Sequence, residues 1–170
     1  MGIEIERKFL IVGDAWRAQA SHSQRMLQGY LIDADIVQAQ AGTRCSLRVR
    51  IGGEQAWLNI KSANLGIARQ EYEYAIPVTD AERMLRDFCN GVIEKIRHYV
   101  AYAGLIYEVD EFFGENAGLI VAELELDAVD QAFAKPDWLG REVSDRLRYY
   151  NLHLLQHPYS HWDERERAGD

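Results

Sequence analysis

Apolar residues recur at every second position in one segment after another of this chain. In the run from Ile3 to Leu10, the residues Ile3, Ile5 and Phe9 alternate with Glu4, Glu6 and Lys8, and Arg7 alone interrupts the register. Successive side chains of an extended strand point to opposite faces, so this spacing predicts a strand with one apolar and one charged face. The same period predicts strands over residues 25–32, 44–51, 55–62, 68–77, 92–102, 105–113 and 119–127. Turn signals separate them: a loop of small residues at 33–43, Gly52-Gly53 for a hairpin, Asn64 with Gly66, Gly104, and the run from Gly114 to Gly118.

Helical spacing is rarer. Asp14 is expected to cap a short helix containing Ala15, Trp16 and Arg17. Thr79-Asp80-Ala81-Glu82 has the form of a capping box and predicts a helix to about Cys89, with Ala81, Met84, Leu85 and Phe88 on its apolar side. Further helices are expected near 127–135, ending before Pro136, and from about Tyr149 to Gln156. The polar, charged residues 157–170 predict a frayed tail following one domain over 1–156. Eight strands joined mostly by tight turns predict an α+β fold: an eight-stranded antiparallel closed β-barrel with helices packed on its outside.

Period two also sorts the charges. Arg48 and Arg50 share a face opposite Leu47, Val49 and Ile51, and Lys61 shares one with Trp57 and Asn59. Arg69, Glu71 and Glu73 share a face, as do Lys95 and Arg97, Glu108 and Asp110, and Glu123 and Glu125, the last pair opposite Leu124 and Leu126. Two arrangements fit: an apolar interior with a solvated outside, or charges turned inward beneath helices that cover the apolar faces. Amphipathic helices need an apolar surface, and the charges fall nearly into like-sign pairs by strand, which favours the inward arrangement. Salt bridges account for any one inward pair. A metal-bound phosphate accounts for the whole set, because carboxylates hold hard cations while Arg and Lys hold phosphate oxygens. Neither a G-x-x-x-x-G-K-[ST] loop nor a G-x-G-x-x-G run is present to supply a phosphate site instead.

Composition narrows the partners. A net charge of −8 argues against a nucleic-acid binder. Cys45 and Cys89 form no C-x-x-C pair and read as reduced thiols, which with the absence of an apolar leader suggests a cytoplasmic protein. No apolar run approaches the ~18 residues of a membrane helix.

Glu4-x-Glu6-x-Lys8 resembles the E-x-E-x-K signature of the CYTH superfamily, the triphosphate tunnel metalloenzymes. Gln28-Gly29-Tyr30-Leu31, Leu47-Arg48-Val49-Arg50, Ile60-Lys61-Ser62, Arg69-Gln70-Glu71-Tyr72-Glu73, Glu94-Lys95-Ile96-Arg97, Glu108-Val109-Asp110 and Ala122-Glu123-Leu124-Glu125 follow in the family's order. The resemblance runs from residue 2 to about 152 and is closest to the short bacterial branch. It implies a tunnel that holds a triphosphate along its axis. Lys8, Arg48, Arg50, Lys61, Lys95 and Arg97 would contact phosphates. Glu4, Glu6, Glu123 and Glu125, with Glu73 and Asp110 nearby, would hold Mg²⁺ or Mn²⁺ in a two-metal site. Tyr30 matches a tunnel tyrosine that would accept a proton, or is a core aromatic; Lys95 joins it as a catalytic candidate. Arg148 would close the tunnel mouth, although the run Val143 to Tyr149 departs from the family pattern by placing Arg146 where an acid is frequent. His153, His157 and His161 read as surface residues.

Three functions are compatible with the resemblance. One is a metal-dependent triphosphatase acting on inorganic tripolyphosphate or a small organic triphosphate, with metal-activated water attacking the terminal phosphorus. The second is an adenylate cyclase of class IV, and the third a non-catalytic polyanion-binding module. None requires nucleic acid or membrane, and a monomer and a homodimer both remain open. Glu123→Gln is expected to lower activity sharply with little loss of stability.

Overall fold

The computed structural model describes residues 2–31, 45–62 and 68–169; the loop expected at 33–43 and the turn at Asn64 and Gly66 lie outside these. Among the described residues nine strands form one antiparallel sheet: β1 (Gly2–Ile11), β2 (Ala20–Tyr30), β3 (Cys45–Gly52), β4 (Gln55–Ser62), β5 (Ala68–Ile76), β6 (Ile93–Tyr102), β7 (Leu105–Phe112), β8 (Ile120–Leu126) and β9 (Leu139–Glu142). Their spatial order is β5-β4-β3-β2-β6-β7-β8-β1-β9, and β1 pairs with β5 as well. That second pairing runs from Gly2 opposite Glu71 to Ile5 opposite Ala68 and brings the two ends of an eight-strand order together. From Phe9 to Ile11 the same edge of β1 is taken by β9 instead. The expected barrel is therefore joined at one end only, and β9, which the alternation did not reveal, fills the other. Gly140 permits this close approach, since a Cβ there would lie 2.9 Å from the Leu10 carbonyl oxygen.

The apolar faces point outward, as the inward arrangement of charges requires. Helix α1 (Val78–Asp87) lays Ala81 and Leu85 on Val49 and Ala56. Gly29 accommodates it: a Cβ there would meet Cys89 Sγ at 2.8 Å and Leu85 Cδ2 at 2.9 Å. The expected capping box does not form. Pro77 occupies the N-cap position with no side-chain cap, so Thr79 and Glu82 already lie inside the helix. A second outer cluster joins Ile5, Phe9, Tyr107, Val109, Leu124 and Leu126 to Trp16 and Trp138. Trp16 sits in a 3₁₀ turn over Ala15–Gln19 that Asp14 flanks without a side-chain hydrogen bond.

The helix expected near 127–135 is absent. The segment is irregular and pinned to the sheet: the Tyr107 hydroxyl donates to the Ala134 carbonyl, and the Phe133 ring meets Phe9 edge-on at 5.8 Å. So short a segment has little helical stability of its own, and Lys135, before Pro136, is steered away from the helical region.

The expected fraying at 157–170 is also corrected. Residues 157–169 continue from helix α2 (Asn151–Gln156) through a 3₁₀ turn at Tyr159–His161 into helix α3 (Glu164–Arg167), which Asp163 and Glu166 cap reciprocally. Trp162 is only 4% exposed and packs with Val143, Tyr149 and Leu154 against Ile93, Phe112 and Val121. The last three alternate in register with the charged residues Lys95, Asp110 and Glu123, so they lie on the inner face of the sheet. The C-terminal segment thus forms an apolar plug at one end of the tunnel. No helix among the described residues is long and apolar enough to cross a membrane.

Candidate active site

Strand alternation carries the charged side chains inward, and depth divides them. Lys8, Arg48, Lys95, Arg97, Asp110 and Glu123 are buried. Glu4, Glu6, Lys61 and Glu71 are half-buried, whereas Glu73 and Glu125 are exposed.

On the wall formed by β1, β6, β7 and β8 the charges satisfy one another. Lys8 Nζ donates to Glu123 and lies 3.6 Å from Glu6. Lys95 Nζ donates to Asp110. Arg97 grips both Asp110 oxygens, each at 2.7 Å, and also donates to Glu108 and Glu123. Burial opposes the charges of Lys8, Lys95, Arg97, Glu108 and Glu123, and their partners act against it or give way. Glu123 and Glu6 overcome burial and raise the Lys8 ammonium, while Lys8 and Arg97 hold Glu123 well below the usual carboxylate range. Burial prevails at two of them: burial, then Arg97, push Lys95 down to about 8 despite Asp110. Burial also raises Glu108.

The wall formed by β2 to β5 is less complete. Arg50 donates to Glu73 at 2.7 Å, Asn59 Nδ2 donates to Glu73 and Glu71 at 2.6 and 3.0 Å, and Lys61 joins Glu4 at 2.9 Å to Glu71 at 3.1 Å. Arg48 is 3.7 Å from Glu71. Yet Arg48 Nε, Arg50 Nε, Asn59 Oδ1 and both amide atoms of Gln28 are buried without a hydrogen-bond partner. Burial, followed by the like charge of Arg48, lowers the Arg50 guanidinium, and Arg97 adds to the effect.

An acidic group mirrors this cationic one. Burial, then Glu4, Glu6 and Glu71, raise the Glu125 carboxyl, with Lys61 acting against them. Three carboxylates that act against the charge of a fourth fit a hard divalent cation by donor chemistry. Among the described residues no three such side chains converge as a ready-made ligand set. Of the other residues expected at metal, Asp110 and Glu123 are engaged by Lys95, Arg97 and Lys8, and Glu73 by Arg50 and Asn59.

Tyr30, the last residue of β2, is buried opposite Arg48. Arg148, expected at the tunnel mouth, faces Glu166 at 3.8 Å and the Trp162 ring at 5.8 Å, on the plug. Gln28 stood in a motif without a role, although it shares the alternation of Tyr30, and Glu71 was placed on the charged face with Glu73 without being assigned to metal.

A family model for the CYTH domain matches residues 2–159. The chain belongs to the CYTH domain family. An inorganic triphosphatase from Acetivibrio thermocellus is 43% identical over 166 residues, which cover 96% of this chain and 100% of that protein. Another from Nitrosomonas europaea is 34% identical over 155 residues, covering 89% and 95%. A crystal structure of an inorganic triphosphatase is similar at a TM-score of 0.62 and 33% identity, covering 89% of this chain and 93% of that one. A putative adenylyl cyclase from Hippeastrum shares the CYTH fold at a TM-score of 0.52 and 17% identity, over 75% of this chain and 80% of its own.

Proposed function

We propose that this CYTH domain is a metal-dependent triphosphatase that splits inorganic tripolyphosphate into orthophosphate and pyrophosphate. The observation that carries the reading is the pair of opposed like-charge groups within one tunnel: Arg48, Arg50 and Arg97 crowd one another, as do Glu4, Glu6, Glu71 and Glu125. Salt bridges meet these charges one at a time, and like charges still face each other within each group. A polyanion would meet the cationic group as a whole, and a divalent cation the acidic one. The names carried by relatives at 43% and 34% identity support a triphosphatase over a cyclase.

In this reading Arg48, Arg50, Lys61, Lys95, Arg97 and Lys8 exchange carboxylate partners for phosphate oxygens. Glu4, Glu6, Glu71 and Glu125 would hold Mg²⁺ or Mn²⁺, with Glu123 close to them. A metal held there would supply charge neutralisation for the phosphates and a water of lowered pKa. Lys95 Nζ directs its donors to a phosphoryl oxygen, and the Tyr30 hydroxyl is the candidate proton acceptor. Cyclisation would instead need a nucleoside held so that its ribose hydroxyl reaches the α-phosphorus. The tunnel's aromatic candidate for stacking, Trp57, already lies under the Arg50 guanidinium at 5.1 Å. The substrate is then a small triphosphate, which suits the cytoplasm.

The purified protein is to be incubated with tripolyphosphate and with ATP, in Mg²⁺ or Mn²⁺, and its products separated by chromatography. Orthophosphate plus pyrophosphate from tripolyphosphate are expected, abolished by EDTA and restored by either metal. Cyclic AMP as the main product of ATP, with tripolyphosphate intact, overturns the reading, and full activity in EDTA overturns the metal assignment.

A further inference from the structure

Gln28 has no role in the reading so far, and its surroundings are unusual. It is fully buried, yet neither its amide nitrogen nor its amide oxygen has a hydrogen-bond partner. Its direction follows from its neighbours. Gly29 faces outward against Leu85 and Cys89 of the α1 region, so Gln28, one residue earlier on the strand, faces into the tunnel. Opposite it on β3 stands Arg50, whose Nε is also unpartnered, and opposite it on β6 stands Ile93, a member of the plug. Gln28 therefore sits where the phosphate-binding wall meets the closed end.

A buried amide is left unsatisfied in native proteins only where a partner is missing or function requires it. Lining the inner end with an amide rather than a further cation has a chemical consequence. An amide N–H donates to a phosphate oxygen without adding charge to a wall where Arg48 and Arg50 already repel each other.

We propose that Gln28 is a substrate-contacting residue whose amide N–H, together with Arg50 Nε, binds the terminal phosphoryl group that reaches the plugged end of the tunnel. This rests on the triphosphatase reading. It adds that a terminal phosphoryl group enters first, so that substrates sharing that group depend on Gln28 equally, whatever they carry at the open end.

The test uses the full chain with Gln28→Met, which keeps the volume and removes the amide, and Gln28→Glu, which keeps the shape and adds negative charge. Two quantities are measured: the ligand-free unfolding temperature, and affinity for tripolyphosphate and ATP from ligand-induced thermal shifts. For Gln28→Met, ligand-free stability is expected to be unchanged or raised, since an unpaired buried amide has been removed. Affinity for both ligands is expected to fall by the same factor, about tenfold, as for one hydrogen bond to a charged group. Gln28→Glu is expected to fall further. A lower ligand-free unfolding temperature with affinity unchanged would assign Gln28 a structural role and overturn the proposal. So would a loss confined to one of the two ligands. If the unsubstituted protein shows neither a thermal shift nor hydrolysis, it is the triphosphatase reading that fails. If it shows both and Gln28→Met matches it, only the role of Gln28 fails.

Discussion

At the scale of single residues the tunnel is a lattice in which each charge holds its neighbours, and this changes what a substitution does. Glu123 was expected to be dispensable for stability. It accepts from Lys8 and Arg97, both buried. Glu123→Gln therefore strips a counter-charge from two enclosed cations, and breaking such a pair costs about 3 kcal/mol or more. The expected outcome is lost activity together with a clearly lower unfolding midpoint in denaturant, part of which tripolyphosphate restores by supplying negative charge. An unchanged midpoint would contradict the lattice. The inward set was legible because period two alone decides which side chains share a face, and so Lys8, Arg48, Arg50, Lys61, Lys95 and Arg97 were found without a structure. Which charge meets which was not legible: Lys8 and Glu123 are 115 residues apart, and only strand register joins them. Arg148 was misplaced for a related reason. It lies outside any strand, in a 3₁₀ turn, where alternation gives no direction.

Individual elements carry their own tests. The β6–β7 turn has Tyr102 opposite Leu105, with Ala103 at φ 49° and Gly104 at φ 83° between them. Two positive φ values define a type I′ turn, which favours Asn-Gly. Ala103→Asn is expected to stabilise the protein by about 0.5–1 kcal/mol, raising the thermal midpoint by a few degrees, because Asn tolerates the left-handed region that Ala resists. A lowered midpoint would show that the turn is held by something other than its own backbone. Strand β9 is fastened through Glu142, which accepts from Arg7 Nε at 2.8 Å and from Ser144 Oγ at 2.8 Å. The Arg7 hydrogen bond holds the Glu142 carboxyl below its ordinary 4.5, against a smaller effect of burial. A lowered carboxyl pKa in the folded state stabilises above the ordinary value, and the contribution disappears as pH falls through the folded one. Glu142→Gln should thus be less stable than the unsubstituted protein near neutrality, and the gap in unfolding midpoint should close in strong acid; a gap independent of pH would reject the pairing. Neither β9 nor the strap at 127–138 was visible beforehand. Leu-Gly-Arg-Glu is too short to show a period, and the strap owes its path to Tyr107 and Phe9, far away in sequence.

For the molecule as a whole, the plug and the three-way pairing of β1 set the terms. Trp162 anchors the plug, and Trp162→Ala is expected to cost about 3–5 kcal/mol, as for a large buried aromatic; a loss below about 1 kcal/mol in denaturant unfolding would mean that the segment rests on the barrel without holding it. The charged tail had been read from its composition, and one tryptophan outweighed that composition. The pairing of β1 has a consequence for the order in which the protein is made. This strand leaves the ribosome before its partners β5, β8 and β9, and the Lys8 backbone N–H completes its bond to Ser144 Oγ across 136 residues. Contacts so distant in sequence form late. Nascent chains stalled before Ile120, which lack both β8 and β9, are expected to leave β1 open to protease, and protection at that length would contradict this. Until β8 has been made, then, β1 keeps an unpaired edge of the kind that recruits other chains, and charged side chains are what blunt such edges. Glu4, Glu6 and Lys8 are the charges this strand carries, and they are expected to keep the half-made protein from aggregating before the tunnel exists.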